Sequence, residues 1–226
     1  RPDERDHTSL PAQEIAWLDL GRNVRGLRIG LWMNPAAPWQ VDPEVKDAVE
    51  AAARLFEQAG AIVEPVMDWT TPEMYMGILH FFAMRCRNDL QGMPASRAAM
   101  AASYVHEAAG FADKLSADDV FRAFYRMHSM QAATVRATQP YDYILSPTSP
   151  VLPFVAEAIN SGSESRMKDA HFTIVFNQSG QPAASIPCGH SSTGMPIGLQ
   201  IAGRRHDDLG VLQMAQAYET MRAPMH

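Results

Sequence analysis

The period of the apolar positions changes several times along this chain, and the changes divide it into elements. From Gly26 to Met33 the run GLRIGLWM is β-rich and opened by glycine, which predicts a strand. Asp42-Pro43 then supplies an N-cap and a proline at the first helical position, where its missing N–H costs nothing. Beyond it Val45, Ala48, Val49, Ala52, Leu55 and Phe56 recur at helical spacing and form one apolar face. Gly60 gives the stop, and Ala61 to Val66 reads as a second strand. Strand, helix and strand in this order predict a right-handed βαβ unit with parallel strands.

From Thr71 to Gln139 the pattern is helical. Thr71-Pro72 opens a helix that carries Tyr75, Ile78, Leu79 and Phe82 on one side, and the Ala- and Met-rich stretch Pro94 to Gly110 predicts one or two more. Ser116-Ala117-Asp118-Asp119 has capping-box spacing, with Asp in place of the usual Glu or Gln. Val120, Phe121, Phe124 and Met127 follow in register on an apolar face, in a helix expected to run to about Thr138, before Pro140. Tyr141 to Leu145 is a short apolar strand that stops at SPTSPVLP, because proline cannot continue a central ladder.

After a polar connection, Val155 to Lys168, the amphipathic run Phe172 to Phe176 ends in Asn177-Gln178-Ser179-Gly180, where Gly180 can take φ > 0 and stop a helix. Ala183 to Pro187 reads as a strand and Gly189 to Gly194 as a loop. Ile197 to Ile201 is a strand that alternates apolar Ile197, Leu199 and Ile201 with Gly198 and Gln200. A last helix, Asp208 to Met221, is expected to place Leu212, Ala215 and Tyr218 on a common face. The fold class is therefore α/β, a mixed β-sheet flanked by helices.

Composition narrows the function classes. The 226 residues, 46% of them hydrophobic, suit one large domain or two small ones with a sizeable core. A net charge of -6 argues against nucleic acid as a partner, since that needs a concentrated basic surface. The two cysteines, Cys86 and Cys188, make neither a disulfide framework nor a CxxC knuckle, and a reduced, cytoplasmic setting is the default. No run approaches a membrane span in length, so no membrane partner is expected. The eight histidines form neither HExxH nor an i, i+4 pair, which leaves zinc without support, and no cofactor is expected. Fourteen methionines read as adaptable core and pocket filler. The start, RPDERDHTSLP, has no apolar h-region and no initiator Met; it reads as a polar linker rather than a signal peptide, and the chain as beginning in the middle of something.

The stretch Phe176 to Arg204 carries a resemblance. The order FN-x-x-G-x-P-A, then I-P-C-G, then G-x-P-I-G-L-Q-I-x-G-R resembles the C-terminal part of the amidase signature enzymes, and Tyr141-Asp142 leading into Pro147-Thr148 resembles the segment that precedes it. These are serine hydrolases of amides, and the family includes the amidotransferase A subunits that release ammonia from glutamine. The resemblance implies a small-molecule amide substrate and a Ser-Ser-Lys mechanism. In the family those residues lie in a Gly/Ser-rich half N-terminal to the matched part. No GGSSGG-like stretch occurs here, and none of the three lysines, Lys46, Lys114 and Lys168, precedes one. The chain is therefore expected to be a truncated, C-terminal fragment, a single incomplete α/β domain over 1–226. Its expected parts are an entry segment (1–25), the βαβ unit (26–66), a helical substrate-side region (71–139) and the family-matching end (141–226). Its expected partner is the missing N-terminal catalytic half, with a homo-oligomer also allowed, and alone it should be inactive. The competing reading is a non-catalytic binding module for a ligand or partner, derived from the same fold.

By the resemblance, Pro147, Thr148, Phe176, Asn177, Gln178 and Gly180 shape the substrate pocket. The plainer reading has Asn177 capping a helix end and Gly180 permitting a tight turn, and the residues alone do not choose between the two. The family's glutamine-using members clamp the substrate with charged residues on this side. Asp169, Arg85 and Arg87 do not fall on those positions, so a glutaminase role lacks support. Arg85 and Arg87 are expected to face solvent, and Cys188 to be a buried strand-end thiol. Ser165-x-x-Lys168 has the spacing of a Ser-Lys pair on a helix, but the companion SDN and KTG motifs are absent and the composition is that of a solvated loop.

Overall fold

A computed structural model describes residues 5, 10–34, 40–158, 160–161 and 166–222. The first unit is the predicted one: β1 (Arg28–Leu31), α1 (Pro43–Gln58) and β2 (Ile62–Pro65), with β1 and β2 parallel. The Asp42 side chain accepts from the Glu44 N–H at 2.9 Å and starts α1; Gly60, at φ 95°, turns the chain out of it. Four helices follow, α2 (Pro72–Gln91), α3 (Ala95–Ala98), α4 (Ser103–Ala112) and α5 (Ala117–Thr138). Ser116 and Asp119 form both halves of the capping box, while the Thr71 side chain makes no capping hydrogen bond.

β3 (Tyr143–Pro147) is buried at every position, as a strand covered on both faces must be. Then come α6 (Arg166–Asp169), α7 (His171–Ser179), β4 (Ala183–His190), β5 (Pro196–Ala202) and α8 (Asp208–Met221). Gly180 is the left-handed C-cap of α7 at φ 68°, and its N–H reaches the Phe176 carbonyl. β4 extends to His190, so the loop predicted from Gly189 is shortened to a turn, which Ser191 closes by bonding Met195.

The five strands lie in the order β2-β1-β3-β5-β4, parallel among β2, β1 and β3 and antiparallel from β3 to β5 to β4. Side chains alternate across the sheet and feed two cores. On one face Ile29, Leu145, Leu199 and Ile201 meet Phe56 of α1 and Met214 and Tyr218 of α8. On the other, Ile144 and Ala202 meet Tyr75 of α2, Met130 of α5, and Phe172, Val175 and Phe176 of α7, with Trp32 among them. Buried Gln200 ties the second layer to the sheet: its Nε2 donates to Ser146 Oγ at 2.9 Å and to the Phe172 carbonyl at 2.8 Å.

α5 turns otherwise than its sequence pattern predicts, while α2 and α8 keep most of their predicted faces and lose one residue each to the surface. In α2, Tyr75 and Ile78 are buried as predicted, but Phe82 is half exposed and Ala83 and Cys86 are buried in addition. Phe121 and Phe124 of α5 stand outward, while Ala123, Met130, Thr134 and Thr138 face the interior. The reason is close approach. Gly77 of α2 lies against the Ala123 backbone and the Arg126 side chain, leaving no room for an aromatic ring between the helices. In α8, Leu212 is half exposed and Val211, Met214, Ala215 and Tyr218 are buried.

Candidate functional site

Beyond the C-terminal end of β3, which runs parallel to β1, lies a cleft of about 430 Å³ between the following loop and the strands β4 and β5. In open α/β sheets ligands sit in such a crevice, outside the carboxyl ends of the strands. Its wall includes Val45 at the start of α1, Thr148, Leu152 and Phe154 of the loop after β3, and Ile186 and Ile197 of β4 and β5. Proline builds this loop: Pro147 ends the strand and Thr148 then returns its N–H to the Gly198 carbonyl at 3.0 Å.

Within the wall, Thr148 Oγ1 and Ser185 Oγ are 2.6 Å apart and form a hydroxyl pair. Gly198 makes it fit. A Cβ there would stand 2.7 Å from Thr148 Oγ1 and 2.9 Å from Ser185 Oγ. Gly198→Ala is therefore expected to push the two hydroxyls apart and to cost roughly 1–3 kcal/mol of stability by overpacking. Urea denaturation measures this directly; an unchanged midpoint would show that the pair yields freely. Neither Ser185 nor Gly198 stands out in the sequence as a site residue. The signals that point to them are the G in P-I-G-L-Q and the outward alternation of β4.

The residues that the sequence groups together separate in space. Thr148 lines the cleft and Pro147 precedes it, whereas Phe176 is buried in the second core against Trp32. Asn177 is exposed and Gln178 half-buried in the last turn of α7, with Gly180 as its cap. None of Phe176, Asn177, Gln178 and Gly180 is in the cleft wall. Asp169 accepts from the Ser161 N–H and hydroxyl, at 3.0 and 2.6 Å. Arg85 and Arg87 make exposed pairs, with Asp89 at 3.6 Å and Asp113 at 3.0 Å.

The nucleophile candidates have ordinary partners. Besides Ser185, Ser191 pairs with Thr193, and Ser192 gives both its N–H and its hydroxyl to Glu44. None of these partners is a base of the lysine or histidine kind. Cys188 is half-buried within β4, and burial pushes its thiol up to about 11, against the weaker pull of Arg222; at neutral pH it is a thiol, not a thiolate. Ser165 lies outside the described residues, and so does any geometry it makes with Lys168. Among the described residues no cluster of His, Cys, Asp and Glu could hold a metal ion, and no helix is long and apolar enough to cross a membrane.

The family profile described as Amidase matches residues 1–212. The chain belongs to the amidase family. Among curated relatives it is 32% identical over 248 residues to the A subunit of a glutamyl-tRNA(Gln) amidotransferase of Brevibacillus brevis, covering 96% of this chain and 49% of the relative. A Myxococcus xanthus protein of the same name is 30% identical, covering 97% and 50%. Among solved structures, a bacterial aryl acylamidase of the amidase signature family superposes with TM-score 0.79 at 25% identity, over 97% of this chain and 48% of that one. The glutamyl-tRNA(Gln) amidotransferase A subunit of Thermotoga maritima superposes with TM-score 0.69 at 23% identity, over 96% of this chain and 47% of that one, which speaks to the fold alone. The chain thus spans about half the length of the amidase relatives it matches, and its α/β fold is theirs.

Proposed function

We propose that this amidase-family chain is the scaffold and pocket-wall portion of an amide-bond hydrolase. Its Ser-Ser-Lys residues are brought by a segment other than residues 1–226. The observation that carries this reading is a conjunction. A chain matched along most of its length by the family covers only about half of its curated relatives, and the two serines of its cleft wall, Ser185 and Ser149, bond to the Thr148 hydroxyl and the Val151 N–H. Amide hydrolysis at neutral pH needs an activated nucleophile and donors for the developing oxyanion. A cleft wall of aliphatic side chains with one hydroxyl pair orients a substrate without supplying either. The relatives' names, acylamidase and amidotransferase, support a substrate among the amides.

The sheet offers a place for the other segment. β4 is one of the two edge strands and the longer, eight residues against four in β2, with Ala183, Ser185 and Pro187 exposed on one face. A long exposed edge is a template for another strand. The reading gives β4 that role, toward the catalytic half.

The test is turnover of a simple carboxamide and of an anilide. The chain alone is expected to release no amine; co-expressed with the polypeptide encoded upstream of Arg1, it is expected to do so, and to stop when the serine nucleophile of that polypeptide is replaced. Serine-dependent hydrolysis by this chain alone, lost in Ser165→Ala, would overturn the proposal. Saturable amide binding with no turnover in either arrangement would instead favour the binding-module reading.

A further inference from the structure

The outward face of α5 has a pattern that the amide chemistry does not use. Asp118, Phe121, Tyr125, His128, Ala132 and Val135 follow one another at intervals of three, four, three, four and three residues. That alternation is the spacing of a coiled-coil seam, which needs about 3.5 residues per repeat. All six are exposed, Phe121 at 60% and Tyr125 at 59%. The seam lies on the side of the helix opposite Ala123, Met130 and Thr134, which hold α5 to the rest of the molecule. Phe121 and Tyr125 already pack edge to face, with ring centroids 5.0 Å apart, so the aromatic surface is ordered before anything covers it.

We propose that this face is a self-association surface, covered by α5 of a second copy of the chain in antiparallel, two-fold packing. The charges choose the occupant. The seam opens on Asp118, beside Asp119 in the first turn, and closes on Val135, beside Arg136 in the last. An antiparallel copy centred on His128 places Phe121 against Val135 of the second copy and Tyr125 over its Gln131, beside Ala132. It also brings the acidic start of each helix to the basic end of the other. Two-fold packing makes each of these contacts twice, as a self-complementary patch must. The helix dipoles, antiparallel, add to the same preference. Arg122, paired with Asp118 at 2.6 Å, flanks the seam and keeps that carboxylate in place. The seam residues are not part of the cleft wall.

Sedimentation equilibrium of the whole chain tests it. The expected mass is twice 24.9 kDa, falling to 24.9 kDa in Phe121→Glu/Tyr125→Glu, while Leu18→Glu, at an exposed apolar residue elsewhere, leaves the dimer intact. Far-UV circular dichroism is expected to be unchanged, because both replaced rings are more exposed than buried. Geometry has its own readout: His128→Cys lies on the two-fold axis and is expected to cross-link to its own copy under mild oxidation, much faster than Met67→Cys, which is 84% exposed off the seam. Three results would overturn the proposal. These are a wild-type chain that stays at 24.9 kDa however concentrated, a doubled mass that survives the double variant, and cross-linking of His128→Cys no faster than of Met67→Cys. If the mass doubles but is lost only on charging the β4 edge, association runs through the sheet and the α5 seam is refuted.

Discussion

Trp32→Ala is expected to destabilise this chain by about 4 kcal/mol, the range seen when a fully buried large aromatic is truncated. Trp32 follows β1 and has no exposed surface. Its ring lies 4.2 Å from Trp69, 4.7 Å from Phe172 and 5.4 Å from His171, centroid to centroid. It is thus where the strand end, the segment before α2 and the start of α7 meet. Removing it deletes the transfer free energy of the indole and leaves a cavity that three separate elements must close. For a chain of this length the loss corresponds to a fall in Tm of roughly 8–16 °C. Met67→Ala is the control: its side chain is on the surface and off the α5 seam, and the expected change is within about 0.5 kcal/mol. A Trp32→Ala variant within about 1 kcal/mol of wild type in urea would show that this cluster does not hold the second core together.

The contrast between buried Trp32 and exposed Phe121 shows where the sequence is legible. Periodicity identified the βαβ unit, the strand pair β4–β5 and the Gly180 cap, because each rests on local chemistry: a capping carboxylate, an alternation, a left-handed glycine. The direction in which a helix turns its apolar side is not local. In α5 the apolar residues cover more than one face, and the pattern alone assigns Phe121 and Phe124 as readily to the interior as Ala123 and Met130. The choice is made by Gly77 on α2, a distant part of the chain, where small residues let the two backbones approach. The pattern reads Trp32 only as part of the predicted strand; that it lies past the strand end and joins α2 and α7 elements in the second core is not local information. The cleft was half legible. Pro147 and Thr148 are expected there by the family resemblance, whereas Ser185 and Gly198 acquire a role only when register pairs Ser185 with Gln200 and sets Gly198 beside Thr148.

Acid is expected to weaken the chain through His171, in a pH window set by burial. His171 opens α7, fully buried, stacked on the Tyr75 ring at 4.9 Å with its Nε2 3.3 Å from the Tyr75 hydroxyl. Burial penalises the imidazolium and lowers its pKa from 6.5 to about 4. The unfolded chain, with an ordinary histidine, therefore takes up its proton first as pH falls. Wherever the unfolded state binds more protons, stability rises with pH. The contribution is fully present above the unfolded value of 6.5, declines as pH falls through the interval down to about 4, and is gone below it. Over the whole window the loss is about 3 kcal/mol, and between pH 7 and pH 5 about 2 kcal/mol. Most carboxylates are still ionised in the upper part of that range, so the slope there belongs to histidine. His171→Phe keeps an aromatic ring at the site and removes the proton. Urea unfolding at pH 7, 6 and 5 should show a falling stability for the wild type and a flatter profile for the variant. Parallel profiles would place the acid sensitivity elsewhere, and would mean that α7 tolerates a charged ring at the point where it is anchored to α2.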